Sequence, residues 1–157
     1  MIRGIHHIAL HTPDLERLLR FYRDLIGFEE VSRASWQGNA LIDEVIGVRG
    51  SAAKQAMLRA GNVHLELFEY TSPASRAAAP LRPNDHGYTH LCLDVTDIEQ
   101  EFDRLSRAGM VFTRRPGDFG AVKAVYGRDP DGNVVEIQET FAAELATLER
   151  LGFTTGT

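Results

Sequence analysis

A single cysteine, Cys92, in 157 residues leaves no partner for an internal disulfide, so the chain is expected in the reducing cytoplasm. Basic charge is also scarce: 17 Lys and Arg stand against 22 Asp and Glu, a net charge of -5. That balance excludes a broad phosphate-binding surface, and nucleic acid is not an expected partner. No run approaches the roughly eighteen apolar residues that a membrane helix needs. The opening Met1–His7 lacks the charged-then-apolar order of a secretory signal, which again points to the cytoplasm. Against these absences, 43% hydrophobic and 25% charged residues are ordinary for a globular protein. A chain of this length can bury about 68–70% of its surface. A core therefore needs no disulfide or structural metal, and any metal would serve chemistry.

The strongest positive signal is an internal repeat. His7-Ile8-Ala9-Leu10-His11-Thr12-Pro13-Asp14-Leu15-Glu16 matches His90-Leu91-Cys92-Leu93-Asp94-Val95-Thr96-Asp97-Ile98-Glu99, 83 positions on. Leu65-Glu66-Leu67-Phe68-Glu69 matches Val135-Glu136-Ile137-Gln138-Glu139, 70 positions on, so the first half holds 13 extra residues. These are placed within 37–52, where Ala40–Gly47 has the spacing of a short inserted helix ending at Gly47. Each half reads as a strand, an amphipathic helix and three strands. Thr12 or Asp14 starts the first helix, with Leu15, Leu18, Leu19, Tyr22 and Ile26 on one face and Gly27 as its stop. Thr96 or Asp97 starts the second, with Ile98, Phe102 and Leu105 on one face and Gly109 at its end. Further strands are expected over 28–36, 54–59, 63–70, 110–114, 122–126 and 134–140. Asp129-Pro130-Asp131-Gly132-Asn133 is a turn, since the later ligand positions of a calcium loop are missing. The fold class is α+β: one domain over 1–157, with module 1 at about 5–70, a Pro-rich linker at 71–86, module 2 at about 87–140 and a last helix over 141–151.

Alternation along strands supplies a test of function. His7 shares a face with Ala9 and His11, and Glu66 with His64 and Phe68. His90 shares a face with Cys92 and Asp94, and Glu136 with Val134 and Gln138. The opposite faces are aliphatic and suited to packing under the helices. Both halves thus place a His in the first strand and a Glu in the last, at matched parity. Two imidazoles and two carboxylates offer a divalent cation balanced charge and the N and O donors that suit first-row metals. His6, of opposite parity, is expected to be silent.

At these residues the chain resembles the vicinal oxygen chelate superfamily, also known as the glyoxalase, bleomycin-resistance and extradiol dioxygenase superfamily. The resemblance rests on His7-Ile8-Ala9-Leu10 with Asp14-Leu15, Phe21-Tyr22 and Leu25-Ile26-Gly27-Phe28. It continues through Leu65-Glu66-Leu67-Phe68, His90–Val95 and Asp129–Glu136. It implies paired βαβββ modules forming a cupped mixed sheet with helices outside, and His7, Glu66, His90 and Glu136 as ligands of one divalent ion: nickel, cobalt, zinc, manganese or iron. Glu66 and Glu136 would be the proton-transfer residues of a glyoxalase I-like lyase or isomerase, or of an epimerase, acting on a small substrate held through adjacent oxygens. A homodimer is expected. Candidate substrate-lining residues are His11, Trp36, His64, Phe68, Cys92 and Tyr126, while Arg114, Arg115, Lys123 and Arg128 could meet an anionic substrate. Where glyoxalase I has an Arg to grip glutathione, this chain has His11. Two alternatives follow from the same resemblance. One is an iron(II) extradiol-type dioxygenase using two His and one carboxylate; the other is a metal-free small-molecule binding protein of the bleomycin-resistance type. Fosfomycin-type transferases resemble the three-ligand pattern.

Overall fold

Helix starts in both halves are set by one short side chain in the same place. In the computed structural model, which describes residues 1–76, 79–142 and 147–148, Asp14 accepts from the Arg17 amide. Asp97 does the same for Gln100, so both act as N-caps. The first helix, α1 (Leu15–Leu19), runs straight into a π-helical stretch, Arg20–Ile26, that ends at Gly27 with φ +98°. The wider turn brings Phe21 inward beside Tyr22, so both are buried together with Leu15, Leu18 and Leu19. The inserted helix α2 (Ala40–Ile46) and its left-handed Gly47 stop lie where expected. The third helix is α3 (Ile98–Arg107).

The chain divides into two compact units, Met1–Ala78 and Ala79–Thr157. In the first, β1 (His7–His11), β2 (Glu29–Gln37), β3 (Ala52–Ala60) and β4 (Val63–Ser72) form a mixed sheet of order β1-β4-β3-β2, with β1 parallel to β4. In the second, β5 (His90–Asp94), β6 (Val111–Phe112), β8 (Val122–Arg128) and β9 (Val134–Thr140) repeat that plan in the order β5-β9-β8-β6. There β5 is parallel to β9. The α+β class and the repeated βαβββ module agree with the sequence reading. The unexpected strand is β7 (Gly117–Asp118), which pairs with β8; a Gly-Asp pair has no strand preference to read. The expected strand over 110–114 shrinks to Val111–Phe112, with Met110 buried ahead of it.

The aliphatic faces make the cores. Ala56, Leu58, Leu65 and Leu67 are buried in the first unit, and Val125, Val135 and Ile137 in the second. Helix α1 lies over β4 and β3, away from the β1 edge, so Ile8 stays 39% exposed. Glu69 and Glu139, also matched by the repeat, hold the helices down. Glu69 Oε2 accepts from the Leu15 amide, and Glu139 accepts from the amides of Asp97 and Ile98. The expected helix over 141–151 falls largely on residues 143–146 and 149–151, outside the described residues.

Candidate functional site

Register decides which donors meet. Ala9 lies opposite Glu66 in the β1–β4 ladder, and Cys92 lies opposite Glu136 in the β5–β9 ladder. Each His is therefore one step diagonal from its Glu on the same face. His7 Nε2 comes to 3.3 Å from Glu66 Oε2, and His90 Nε2 to 3.2 Å from Glu136 Oε2. The other ring nitrogens are held alike. His7 Nδ1 meets His6 Nδ1 at 2.9 Å, and His90 Nδ1 meets Thr89 Oγ1 at 3.0 Å. In both halves the preceding side chain can accept an Nδ1 proton, leaving the Nε2 lone pair facing the carboxylate. His6, which parity expects to be silent, thus touches the His7 ring. It sits before β1 begins, where strand alternation has no force, and it stacks on His64 at 5.1 Å.

A nitrogen and an oxygen each about 2.1 Å from one ion, at octahedral or tetrahedral angles, stand about 2.9–3.4 Å apart. Both His–Glu separations fall in that window, so each pair fits two positions of a divalent ion. The donors come in twos: among the described residues, no group of three or more His, Cys, Asp or Glu is brought together.

The two carboxylates differ in their other neighbours. Gln55 Nε2 donates to Glu66 Oε1, clamping the oxygen that His7 does not face. The counterpart of Gln55, two residues along the ladder from the Glu, is Ala124, opposite Gln138. No side-chain amide can reach Glu136 from there. Glu136 has Cys92 and Tyr126 beside it instead. Desolvation, then the charge of Glu136, pushes the Cys92 thiol up to about 12. Desolvation and Glu136 likewise raise the Tyr126 phenol, whose ring lies 5.1 Å from that of His90.

The lining residues expected in the first unit do share the face of the His–Glu pair. Trp36 packs edge-on against Phe68 and Tyr70 at 5.9 and 5.7 Å. His11 meets Tyr70 at 5.5 Å and is hydrogen-bonded through Nδ1 to the Phe68 carbonyl. Tyr70 is the member of this wall that the sequence reading missed, although its even spacing from Glu66 and Phe68 marks the face. Trp36 is fixed by the insertion: its Nε1 donates to Ser51 Oγ at 2.8 Å, and Ser51 Oγ donates to Asp43 of α2 at 2.5 Å. Of the four basic candidates, Arg115 pairs with Glu99 and Asp103, and Lys123 approaches Glu99. Arg128 donates to the Leu81 and Gly132 carbonyls. Arg114 alone reaches the site face: it lines a hollow of about 270 Å³ with Tyr126 and Glu136.

Comparisons with known proteins identify a family and a fold. A family model described as the Glyoxalase/Bleomycin resistance protein/Dioxygenase superfamily matches residues 4–137. A 2-epi-5-epi-valiolone epimerase from an Actinomyces species is 34% identical over 103 residues, which is 61% of this chain and about half (54%) of that relative. The mitochondrial methylmalonyl-CoA epimerase of Mus musculus is 24% identical, over 86% of this chain and 72% of its own length. Among solved structures, a glyoxalase family protein from Bacillus cereus superposes with a TM-score of 0.82 at 20% identity, covering 90% of this chain and 97% of that one. The last likeness concerns the fold. Among the described residues, no helix is long and apolar enough to cross a membrane.

Proposed function

The chain belongs to the glyoxalase/bleomycin resistance/dioxygenase superfamily, and from that membership we propose that it is a divalent-metal-dependent lyase, isomerase or epimerase of the glyoxalase type. It moves a proton on a small substrate that presents adjacent oxygens. The observation that carries this reading is the duplicated His–Glu pair: same ladder offset, same face, and the second ring nitrogen held in both halves by the preceding side chain. His7, Glu66, His90 and Glu136 are the proposed ligands, completed within one chain or across a homodimer.

A bound divalent ion would act as a Lewis acid on the substrate oxygens. The chain's own residues do the rest. His6 and Thr89 orient the imidazoles, and Gln55 restrains Glu66 as a stationary ligand. Glu136, without such a clamp, is the carboxylate free to take a proton from the substrate and return it. Cys92, opposite Glu136 in the ladder, can donate to it. A second carboxylate favours this reading over the two-His, one-carboxylate arrangement of iron oxygenases. Epimerases among its relatives support proton transfer; a metallothiol transferase, 24% identical, is also among them.

The test is elemental analysis of the purified protein, followed by addition of nickel, cobalt, zinc, manganese or anaerobic iron(II) to stripped protein. The expected result is one tight equivalent per chain that is lost in His7→Ala. No stoichiometric binding with any of these metals overturns the proposal.

A further inference from the structure

The repeat makes the two units comparable position by position, and they differ most beside the two glutamates. In the first unit Gln55 fills the ladder position next to Glu66 and donates to it. In the second unit the same position is Ala124, and its partner across the β7–β8 ladder is Gly117. Two minimal side chains face each other where the first unit carries an amide. Both line the hollow of about 270 Å³, together with Thr113, Arg114, Phe119, Tyr126 and Glu136. A Cβ at Gly117 would stand 3.4 Å from the Phe119 ring, an ordinary van der Waals contact.

Arg114 is held at this hollow by its backbone surroundings. Thr113 is tied to the Tyr126 carbonyl through both its amide and its hydroxyl, and Arg114 Nε donates to the Arg115 carbonyl at 3.0 Å. Arg115, Lys123 and Arg128 are engaged elsewhere, as described above. Among the described residues no carboxylate lies within ion-pair reach of Arg114. Its two terminal amino groups are thus a planar donor pair suited to two oxygens of one anion.

We propose that the hollow beside Glu136 is an oxoanion subsite anchored by Arg114, so that the substrate is a small molecule carrying a carboxylate or phosphate at one end and its reacting C–H at the other. This rests on the proton-transfer reading above and adds a substrate class and an orientation. The anionic end is held by the second unit, and the reacting carbon is presented to Glu136.

The test uses the whole 157-residue chain, free of metal, with backbone amide shifts followed by NMR during titration with inorganic phosphate, malonate and neutral 1,2-propanediol at constant ionic strength. Saturable shifts at Thr113 and Gly117 are expected with phosphate, malonate or both; which one binds tells a phosphorylated from a carboxylated substrate. Arg114→Gln should weaken that binding at least about tenfold, Arg114→Lys less, and Arg115→Gln should leave it unchanged. Three results overturn the inference: no saturation with either anion, equal binding of the diol, or Arg114→Gln binding like wild type. Metal stoichiometry is measured separately on the same variants. A protein that takes up metal but ignores anions loses the subsite and keeps the proposed function; anion binding without metal uptake does the reverse.

Discussion

His6 and His7 are adjacent in sequence and different in kind. The His7 ring points Nε2 at Glu66, while His6 meets His7 through Nδ1 and edge-on, ring to ring. A partner on the far nitrogen of a ligating imidazole fixes ring orientation, and its loss commonly costs metal affinity about tenfold or more. His6→Ala is therefore expected to weaken metal binding about tenfold while the fold is kept, as isothermal titration with the preferred metal would measure. His6→Asn, which keeps a hydrogen-bonding side chain there, should recover part of the loss. Wild-type affinity in His6→Ala would return His6 to the silent role that parity assigns it. Parity could identify His7, Glu66, His90 and Glu136 because they lie inside strands. It could not single out His6 or Gln55, whose contacts come from before the strand and across a hairpin, and Arg114 stood in the sequence as one of four basic candidates with nothing to separate it from the others.

Elements are joined by the second pair of repeated glutamates. Glu69 and Glu139 match in the duplicated strands as clearly as Glu66 and Glu136 do, yet odd spacing puts them on the opposite face, against the helix N-termini. There a carboxylate meets unpaired amides and the positive end of the helix. The Lys54 ammonium first, and the Leu15 amide second, hold the Glu69 carboxyl below its ordinary value of 4.5. A depressed value means that its stabilisation is complete above the unfolded value and is lost as pH falls through the folded one. Glu69→Gln should cost about 1 kcal/mol at pH 7, the usual scale for a lost helix cap. The gap from wild type should narrow as pH falls below about 4.5. Urea unfolding at pH 7 and pH 3.5 measures both; a gap unchanged by pH would remove the carboxylate charge from the account. The π-helical widening at Arg20–Ile26 was not legible, because apolar residues at 18, 19, 21 and 22 suit either helix type and only packing against the sheet selects the wider turn.

The proposed site asks both units to contribute to one ion. Ligand binding to the native state stabilises by about 2.7 kcal/mol at a hundredfold excess over Kd. If the four donors serve one ion, metal should slow amide hydrogen exchange in β1 and β4 and, to a similar extent, in β5 and β9, and His90→Ala should abolish the protection in both sheets. Protection confined to one sheet would mean that one His–Glu pair binds alone. The repeat, the strand and helix order apart from β7, and the face on which each His and Glu lies were determined by the sequence, because alternation and capping act over a few residues. Tertiary structure decided what those faces meet. Ladder register set each His one step from its Glu, and hairpin pairing put Gln55 on Glu66 but Ala124 beside Glu136. Chemically different neighbours around two repeated carboxylates come from residues distant in the chain, and only the folded sheet brings them within a hydrogen bond.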